Sequence, residues 1–270
     1  MNILILGDRG QIGSPLRSYL VSKNHSVIGW DKKDGLDYDL SLPENFARLF
    51  KDMSVVDKII FLAFEVGGSK FLENQDSTFS YVDENVALMH QCFLALKITK
   101  KPFLFASSQM ANMHHTNYGF LKELGERYTR SLNGWICRFW NVYGKESPTD
   151  PKSHVITDFI HMAKENNLIE MRTNGSENRQ FLYVDDCVLG IESWINGLWD
   201  DNSRYYDITS FKWNSIFDVA SIISSRTGSK FKLGVKADSI QKGIMNEPDP
   251  YILKFWRPVI SLENGIEKLL

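Results

Sequence analysis

The stretch MNILILGDRGQIG, residues 1–13, decides the fold. Its apolar run into Gly7 predicts a fully buried strand, and Gly10 and Gly13 follow at a spacing of three. Gly7 permits a tight turn, Gly10 lets the backbone approach a pyrophosphate, and Gly13 lets the next helix pack closely on the strand. A helix from about residue 11 to 22 then points its N-terminal N–H groups at the phosphates. The stretch therefore predicts a strand that ends in a nucleotide phosphate site.

The segment after this helix supports the same interpretation. HSVIGWD, residues 25–31, predicts a second short strand that ends in an acid roughly 20 residues past the glycines. At that place the carboxylate of Asp31 can accept both ribose hydroxyls of an adenosine. Asp39, in the following loop, could meet the adenine amino group or could be a solvated loop acid.

The choice of cofactor depends on the charges near Asp31. This acid repels a 2′-phosphate and favours NAD, whereas Arg9, Lys32 and Lys33 lie close enough in sequence to bind such a phosphate. Because the acid stands at the strand tip itself, NAD is the expected cofactor, and NADP stays open.

Composition limits the class of protein. With 270 residues, 43% hydrophobic residues and a formal charge of −2, the chain can bury the core of one large or two modest domains. It has no basic field for nucleic acid and no polybasic face for membranes, so the expected partners are small molecules. The three cysteines are far apart and inside apolar segments, so no disulfide frame and no metal site is expected. The N-terminus begins directly with a strand and shows no signal peptide or spanning helix, which predicts a cytoplasmic protein.

The rest of the chain alternates strands and helices. Residues 55–64 and 101–107 are apolar strand candidates, separated by a helical pattern over 78–97. This alternation predicts an α/β fold with a doubly wound parallel sheet. In such sheets ligands lie at the carboxyl ends of the strands, so Ser107 and Ser108 are candidates for holding a substrate oxygen.

A tyrosine and a lysine follow these serines. On a helix, Tyr118 and Lys122 are four residues apart and share a face. The lysine then places a cation near the phenol, which lowers the phenol pKa toward the range of a general acid/base. The pair occurs often by chance, but after the serines and a nucleotide-binding unit it is specific.

Together these features make the chain resemble the extended short-chain dehydrogenases/reductases of the sugar-nucleotide epimerase/dehydratase type. Four further segments carry the resemblance nearly end to end: RFWNVYG at 138–144, RQFLYVDD at 179–186, YDIT at 206–209 and WRPVISLENGI at 256–266. These matches are specific for the fold and much less so for the reaction. The resemblance implies a Rossmann-type sheet with a small C-terminal substrate-binding lobe.

The resemblance also implies roles for individual residues. Tyr118 exchanges a proton with a sugar hydroxyl or ketone, Lys122 binds the nicotinamide ribose and keeps Tyr118 acidic, and Ser108 hydrogen-bonds the same oxygen. Asn141 and Arg179 contact the diphosphate of a nucleotide-sugar substrate, where the fork of Arg suits a phosphate.

The expected site therefore has three sets of residues. The catalytic set is Ser108, Tyr118 and Lys122. The cofactor-binding set is Gly7, Arg9, Gly10, Gln11, Ile12, Gly13, Asp31, Lys32, Asp39, Leu40, Leu62, Ala63, Asn85, Tyr118 and Lys122. The substrate-binding set is Ser107, Ser108, Gln109, Asn141 and Arg179.

Departures from the family pattern narrow the reaction. Gln109 and Met110 follow Ser108, where 4,6-dehydratases carry an Asp-Glu pair and 3,5-epimerases carry a cysteine. Chemistry at C4 of the sugar remains: 4-epimerisation through a transient 4-keto intermediate, or NADPH-dependent reduction of a 4-keto sugar. A loop of nine residues between Ser108 and Tyr118 is short, and EPDP at 247–250 replaces an Arg-Pro-x-Asp phosphate contact. A non-catalytic dinucleotide-binding relative therefore stays open.

The organisation of the chain follows from the same resemblance. Residues 1–145, with about 173–209, are expected to form the NAD(P)-binding domain, and about 146–172 with 210–270 the small lobe. The apolar faces of the helices at 78–97 and 117–132 are of the kind that pair across a homodimer in this family.

Overall fold

A computed structural model describes residues 1–200, 203–236, 238 and 246–270 of the chain. The strands of these residues are β1 (Asn2–Leu6), β2 (Ser26–Trp30), β3 (Lys58–Phe61), β4 (Phe103–Ser108), β5 (Trp135–Phe139), β6 (Asn141–Tyr143), β7 (Leu168–Glu170), β8 (Asn178–Arg179), β9 (Phe181–Tyr183), β10 (Tyr205–Ile208), β11 (Asn214–Ser215) and β12 (Lys230–Lys232). The α-helices are α1 (Gly13–Ser22), α2 (Phe46–Ser54), α3 (Ser69–Gln75), α4 (Phe79–Thr99), α5 (Asn117–Ser131), α6 (Val155–Asn166), α7 (Val184–Ile195), α8 (Ile216–Thr227) and α9 (Leu262–Glu267).

Six parallel strands form the central sheet in the order β10–β5–β4–β3–β1–β2. The chain moves outward from β1 to β2 and then back through β3, β4 and β5, which is the doubly wound topology that the sequence predicts. The reversal between β1 and β3 opens a crevice at the carboxyl edge of the sheet, beside the glycine turn that follows β1.

Alternating side chains of β1 enter two separate cores. Ile3 and Ile5 pack in one core with α1 and α7, whereas Leu4 and Leu6 pack in the other with α2, α4 and α5. All four side chains are fully buried. A continuous apolar run is therefore the pattern that a central parallel strand requires, because helices cover both of its faces.

Residues beyond β5 build a smaller part of the fold. There β6 pairs with β9 and β7 pairs with β12 in parallel, while β8 and β11 pair in antiparallel fashion. The chain returns to the central sheet at β10, inside the stretch 173–209 that the sequence assigns to the nucleotide-binding domain. The division into two domains stays a prediction, and residues 237 and 239–245 of the second lobe lie outside the described residues.

Three further findings bear on composition. All three cysteines are buried free thiols. Within the described ranges, no three His, Cys, Asp or Glu side chains cluster in a way that could hold a metal ion. No helix in this part of the chain has the length and hydropathy to cross a membrane.

Candidate active site

A cleft of about 1020 Å³ lies along the carboxyl ends of the strands, at the upper end of the range of ligand-binding pockets. Most of the site residues expected from the sequence line it. They are Gly7, Arg9, Gly10, Gln11, Ile12, Gly13, Asp31, Lys32, Asp39, Leu40, Leu62, Ala63, Ser107, Ser108, Gln109, Tyr118, Lys122 and Asn141. Asn85 and Arg179 are outside this lining.

The glycine turn after β1 is shaped by two of its three glycines. Gly7 has φ +87°, and its N–H donates to the carbonyl oxygen of Trp30 at 2.6 Å. A Cβ on Gly13 would stand 2.0 Å from the carbonyl oxygen of Gly7, so α1 can approach β1 this closely because position 13 has no side chain. A Cβ on Gly10 would stand 3.3 Å from the same carbonyl oxygen, a tight contact but a much longer one than at Gly13. The fold therefore needs the missing side chain at Gly10 much less than at Gly13.

The first turn of α1 is open to an anion. It has no side-chain cap and no acidic residue. The N–H groups of Gln11, Ile12 and Gly13 have no hydrogen-bond partner in the described part of the chain. Such unsatisfied donors at a helix N-terminus favour a phosphate. The turn therefore fits the pyrophosphate of a dinucleotide.

Asp31 stands at the tip of β2, where the sequence predicts the ribose contact. Its two oxygens accept the N–H groups of Arg9 at 3.1 Å and Lys33 at 3.0 Å. A carboxylate has about four acceptor positions, so about two remain for ribose hydroxyls. Asp39 instead accepts the N–H and the hydroxyl of Ser41 at 2.9 and 2.7 Å, which fixes its own loop. Its contact with adenine stays a prediction.

Two of the three cations near Asp31 are already paired with acids. Arg9 binds Asp34 through Nε at 3.1 Å and Nη2 at 2.8 Å, and this hydrogen bond lowers the pKa of the Asp34 carboxyl. The Nζ of Lys32 lies 2.9 Å from Glu65 and 3.2 Å from Glu84. Two of the three cations that could hold a 2′-phosphate therefore already form ion pairs.

Ser108, Tyr118 and Lys122 meet at the other end of the cleft. Ser108 ends β4, while Tyr118 and Lys122 lie on successive turns of α5. The Nζ of Lys122 donates to the carbonyl oxygen of Ala106 at 2.7 Å and lies 3.8 Å from the ring centroid of Phe64.

The electrostatics of this group differ from the expectation that the lysine lowers the phenol pKa. Burial raises the pKa of Tyr118 to about 12, although the hydrogen bond with Ser108 acts in the opposite direction. Burial also lowers the pKa of Lys122 to about 7, against the attraction of Glu126. In the protein alone, desolvation of both groups therefore outweighs their proximity.

Asp76 hydrogen-bonds the first turn of α5. The sequence analysis did not include it among the expected site residues. Its carboxylate accepts the N–H groups of Asn117 at 2.9 Å and Tyr118 at 2.7 Å, and Thr116 caps the same turn through the N–H of Gly119 at 3.0 Å. Asp76 precedes Tyr118 by 42 residues, so no local pattern indicates the contact. Its bonds fix the position of the tyrosine backbone.

Glu126 is a second residue that the sequence interpretation missed. It is fully buried and accepts hydrogen bonds from Ser107 at 2.6 Å, Arg130 at 2.8 Å and Arg138 at 2.6 and 2.9 Å. These bonds join α5 to the ends of β4 and β5. Glu126 follows Lys122 by four residues, so the same-face rule that pairs Tyr118 with Lys122 would also have found it.

The two expected site residues outside the cleft lining make other contacts. Asn85 binds the backbone of Glu65, accepting its N–H at 2.8 Å and donating to its carbonyl at 3.2 Å, and so holds the loop that borders the cleft. Arg179 donates to the carbonyl oxygen of Asn178 at 2.7 Å and forms an ion pair with Asp238. Direct binding by Asn85 and Arg179 stays a prediction.

Two asparagine side chains at the substrate end of the cleft differ in their hydrogen bonds. The Oδ1 of Asn141 is buried and has no partner among the described residues, so it can accept from a ligand. The side chain of Asn246 donates to the carbonyl oxygen of Gln109 at 2.6 Å. In the nearby EPDP segment, the N–H of Asp249 donates to Asp207 of β10 at 3.0 Å. This segment is therefore anchored to the central sheet.

The loop at residues 145–154 also borders the cleft, although the sequence analysis named none of its residues as part of the site. The carbonyl oxygen of Lys152 accepts the N–H of Gly68 at 3.0 Å, which joins this loop to the loop after β3. Glu146 accepts the N–H of His154 at 3.1 Å and lies 2.7 Å from its ring nitrogen. The two joined loops form one wall of the cleft.

Comparison with known proteins identifies the family. Residues 3–196 match the sequence profile of the NAD dependent epimerase/dehydratase family. The chain belongs to this family. The glycine turn, Ser108, Tyr118 and Lys122 all lie inside the matched region.

Individual relatives in the family are distant and have different activities. The chain is 22% identical to UDP-glucuronic acid decarboxylase 1 of Danio rerio, over 99% of this chain and 71% of the relative. It is 24% identical to GDP-mannose 3,5-epimerase 1 of Oryza sativa subsp. indica, over 98% and 80%. It is 26% identical to a putative UDP-glucose 4-epimerase of Methanocaldococcus jannaschii, over 99% and 97%.

Solved structures confirm the fold. An epimerase from Methanothermobacter thermautotrophicus has a TM-score of 0.85 and 21% identity, covering 99% of this chain and 90% of its own. UDP-glucuronic acid 4-epimerase from Bacillus cereus, solved with UDP-glucuronic acid and NAD, has a TM-score of 0.79 and 22% identity, covering 100% and 98%.

Proposed function

We propose that this member of the family is an NAD-dependent sugar-nucleotide 4-epimerase that works through a transient 4-keto intermediate. The observation that carries the proposal is the convergence of Ser108, Tyr118 and Lys122 on the same cleft as the glycine turn. Beside them stands Gln109, whose carboxamide does not titrate and so supplies no acid or base for a second site on the sugar.

NAD fits the described residues. The open first turn of α1 would hold the pyrophosphate, and the remaining acceptor positions of Asp31 would hold the adenosine ribose. One of the three donors of Lys122 binds Ala106, which leaves two for the nicotinamide ribose. When bound, NAD would supply the hydride acceptor and donor that chemistry at C4 of the sugar requires.

Tyr118 and Ser108 manage the proton at the sugar oxygen. As hydride leaves C4, Tyr118 takes the proton of the 4-hydroxyl, and the oxygen becomes a ketone held by the Ser108 hydroxyl. When hydride returns to the opposite face, Tyr118 gives the same proton back, so that the cycle ends without net oxidation. Ser108 and a protonated Lys122 stabilise the phenolate, against the burial that raises the pKa of Tyr118 to about 12.

The first test identifies the nucleotide that the protein carries. The purified protein is denatured, and any released nucleotide is identified by mass and absorbance. NAD recovered in near-stoichiometric amount is the expected result, because an epimerase regenerates its cofactor in each cycle. An empty site that later takes NADPH would favour a 4-keto reductase instead.

The second test measures the reaction. UDP-glucose, UDP-glucuronic acid and GDP-mannose are each incubated with the protein, and the products are read by proton NMR. We expect one of these nucleotide sugars to be converted to its C4 epimer with no net gain of NADH. Bound NAD without turnover of this panel or of other nucleotide sugars would favour a dinucleotide-binding protein that has lost catalysis.

A further inference from the structure

We propose that Asp34 determines the preference for NAD over NADP by occupying the guanidinium of Arg9. This inference rests on the proposed function, because it concerns the cofactor of the same site. It adds a second acid to the one that the sequence already indicates at the tip of β2.

Arg9 has the position that a 2′-phosphate contact needs. It lies inside the glycine turn and lines the cleft, and its N–H donates to Asp31 at 3.1 Å. Its side chain is 51% exposed, so it is accessible to a ligand. A guanidinium binds phosphate oxygens in pairs, which makes Arg9 the strongest phosphate ligand at this end of the cleft.

Asp34 takes the place that the phosphate would take. Its Oδ1 accepts Nε of Arg9 at 3.1 Å and Nη2 at 2.8 Å, so one edge of the guanidinium is filled. Asp34 belongs to the short 3₁₀ turn Lys32–Asp34 that follows Asp31 directly. This turn therefore places the carboxylate of Asp34 within hydrogen-bond distance of Arg9.

Acids offset the neighbouring cations. Glu65 and Glu84 pair with Lys32, and Lys33 has no ion-pair partner among the described residues. Lys152 also pairs with Glu65, so these side chains together with Asp31, Asp34 and Arg9 carry no net charge. A 2′-phosphate would lie against Asp31 and Asp34 with no surplus positive charge to offset them, whereas the ribose hydroxyls of NAD gain an acceptor.

The test measures binding rather than turnover. Nucleotide is first removed from the protein, and NAD and NADP are then titrated by isothermal calorimetry. The variants are Asp34→Asn, Arg9→Gln and the double variant. Asp37→Asn is the matched control, because it removes the same charge three residues away and Asp37 takes part in none of the described ion pairs.

We expect the wild type to prefer NAD. Asp34→Asn should tighten NADP binding about ten-fold and change NAD binding less than about two-fold, since one charge-assisted contact accounts for about a factor of ten. Asp37→Asn should change neither, and the double variant should lose the gain because Arg9 is gone.

Three results would overturn the inference. The first is an effect of Asp34→Asn no larger than that of Asp37→Asn, and the second is a gain that persists without Arg9. The third is a wild type that binds NADP as tightly as NAD. This result would overturn the role of Asp34 but would leave the proposal of a nucleotide-dependent enzyme standing. A protein that binds neither dinucleotide would instead remove the proposed function.

Discussion

Tyr118 is the residue on which the proposed proton transfer depends. Tyr118→Phe keeps the ring and its edge contact with Phe64 but removes the hydroxyl. We expect turnover to fall by a factor of about 10² to 10⁴, the usual contribution of a general acid/base, while the dissociation constant for NAD changes less than about two-fold. Tyr128→Phe on the same helix is the matched control. An unchanged rate in Tyr118→Phe would remove this residue from the mechanism.

Lys122 links the site to stability through its own ionisation. Burial lowers its pKa in the folded protein to about 7, whereas an unfolded lysine keeps its ordinary value of about 10.4. Between these values the unfolded chain binds the extra proton, so this residue makes the free energy of unfolding rise with pH. Below about pH 7 the folded protein bears the full free-energy cost of burying the charged lysine. Above the ordinary lysine pKa of about 10.4 this cost is absent, because the side chain is neutral in both states.

Lys122→Met tests this relation. The stability of the wild type relative to the variant should increase by about 2 kcal/mol between pH 7 and pH 9, because each unit of this range contributes up to about 1.4 kcal/mol. Urea unfolding at both pH values, without nucleotide, measures the difference. A difference that is constant with pH would show that Lys122 is charged inside the folded protein.

At the scale of single elements, two glycines of the turn after β1 have different roles: Gly13 serves mainly stability and Gly10 mainly cofactor binding. Gly13→Ala places a Cβ 2.0 Å from the carbonyl oxygen of Gly7 and should cost about 2–3 kcal/mol of stability. The Cβ of Gly10→Ala stands 3.3 Å from the same oxygen, so the loss of stability should be about 1 kcal/mol or less. It should nevertheless weaken NAD binding about ten-fold or more, because the methyl group fills the space beside the pyrophosphate.

Urea unfolding of both variants without nucleotide, followed by NAD titration of Gly10→Ala, checks these expectations. Equal losses of stability at the two positions would contradict the different roles. Unchanged NAD binding by Gly10→Ala would place the pyrophosphate elsewhere.

Elements with a local signal were predictable from the sequence. The helical pattern at 78–97 became α4, Phe79–Thr99, because Thr78 caps it and its apolar spacing is regular. The strand expected at 55–64 is shorter, Lys58–Phe61, since α2 continues to Ser54 and the pairing with β1 runs only from Lys58 to Phe61. Periodicity gives the type of an element, while its ends depend on partners elsewhere.

The residues that hold or neutralise the site residues were harder to predict from the sequence, for the same reason. Asp34, Asp76 and Glu65 act on partners that lie 25 to 42 residues away. No spacing rule reaches over such distances, so Arg9 and Lys32 looked available in the sequence although both are paired with acids in the fold. The motif residues could be placed from sequence, but the charge balance around them could not.

At the scale of the whole molecule, the outer face of α4 and α5 raises the question of association. Phe79, Val86, Leu94 and Ile98 on α4 are 82%, 42%, 37% and 51% exposed, and Phe120 on α5 is 54% exposed. Phe79, Val86 and Leu94 recur at helical spacing along α4, so they share a face. An apolar face of this kind marks an interaction surface, and a second copy of the chain presents the same face.

We therefore expect the wild type to form a homodimer through this face. Light scattering at micromolar concentration should give twice the monomer mass of 31.1 kDa. Val86→Glu places a charge at the centre of the α4 face and should shift the mass to that of one chain, because a buried unpaired charge is costly. Val21→Glu is the matched control, since Val21 is 54% exposed on α1, whose buried side packs in the other core. A wild type with the mass of one chain would show that the exposed residues of α4 and α5 do not pair two copies at this concentration.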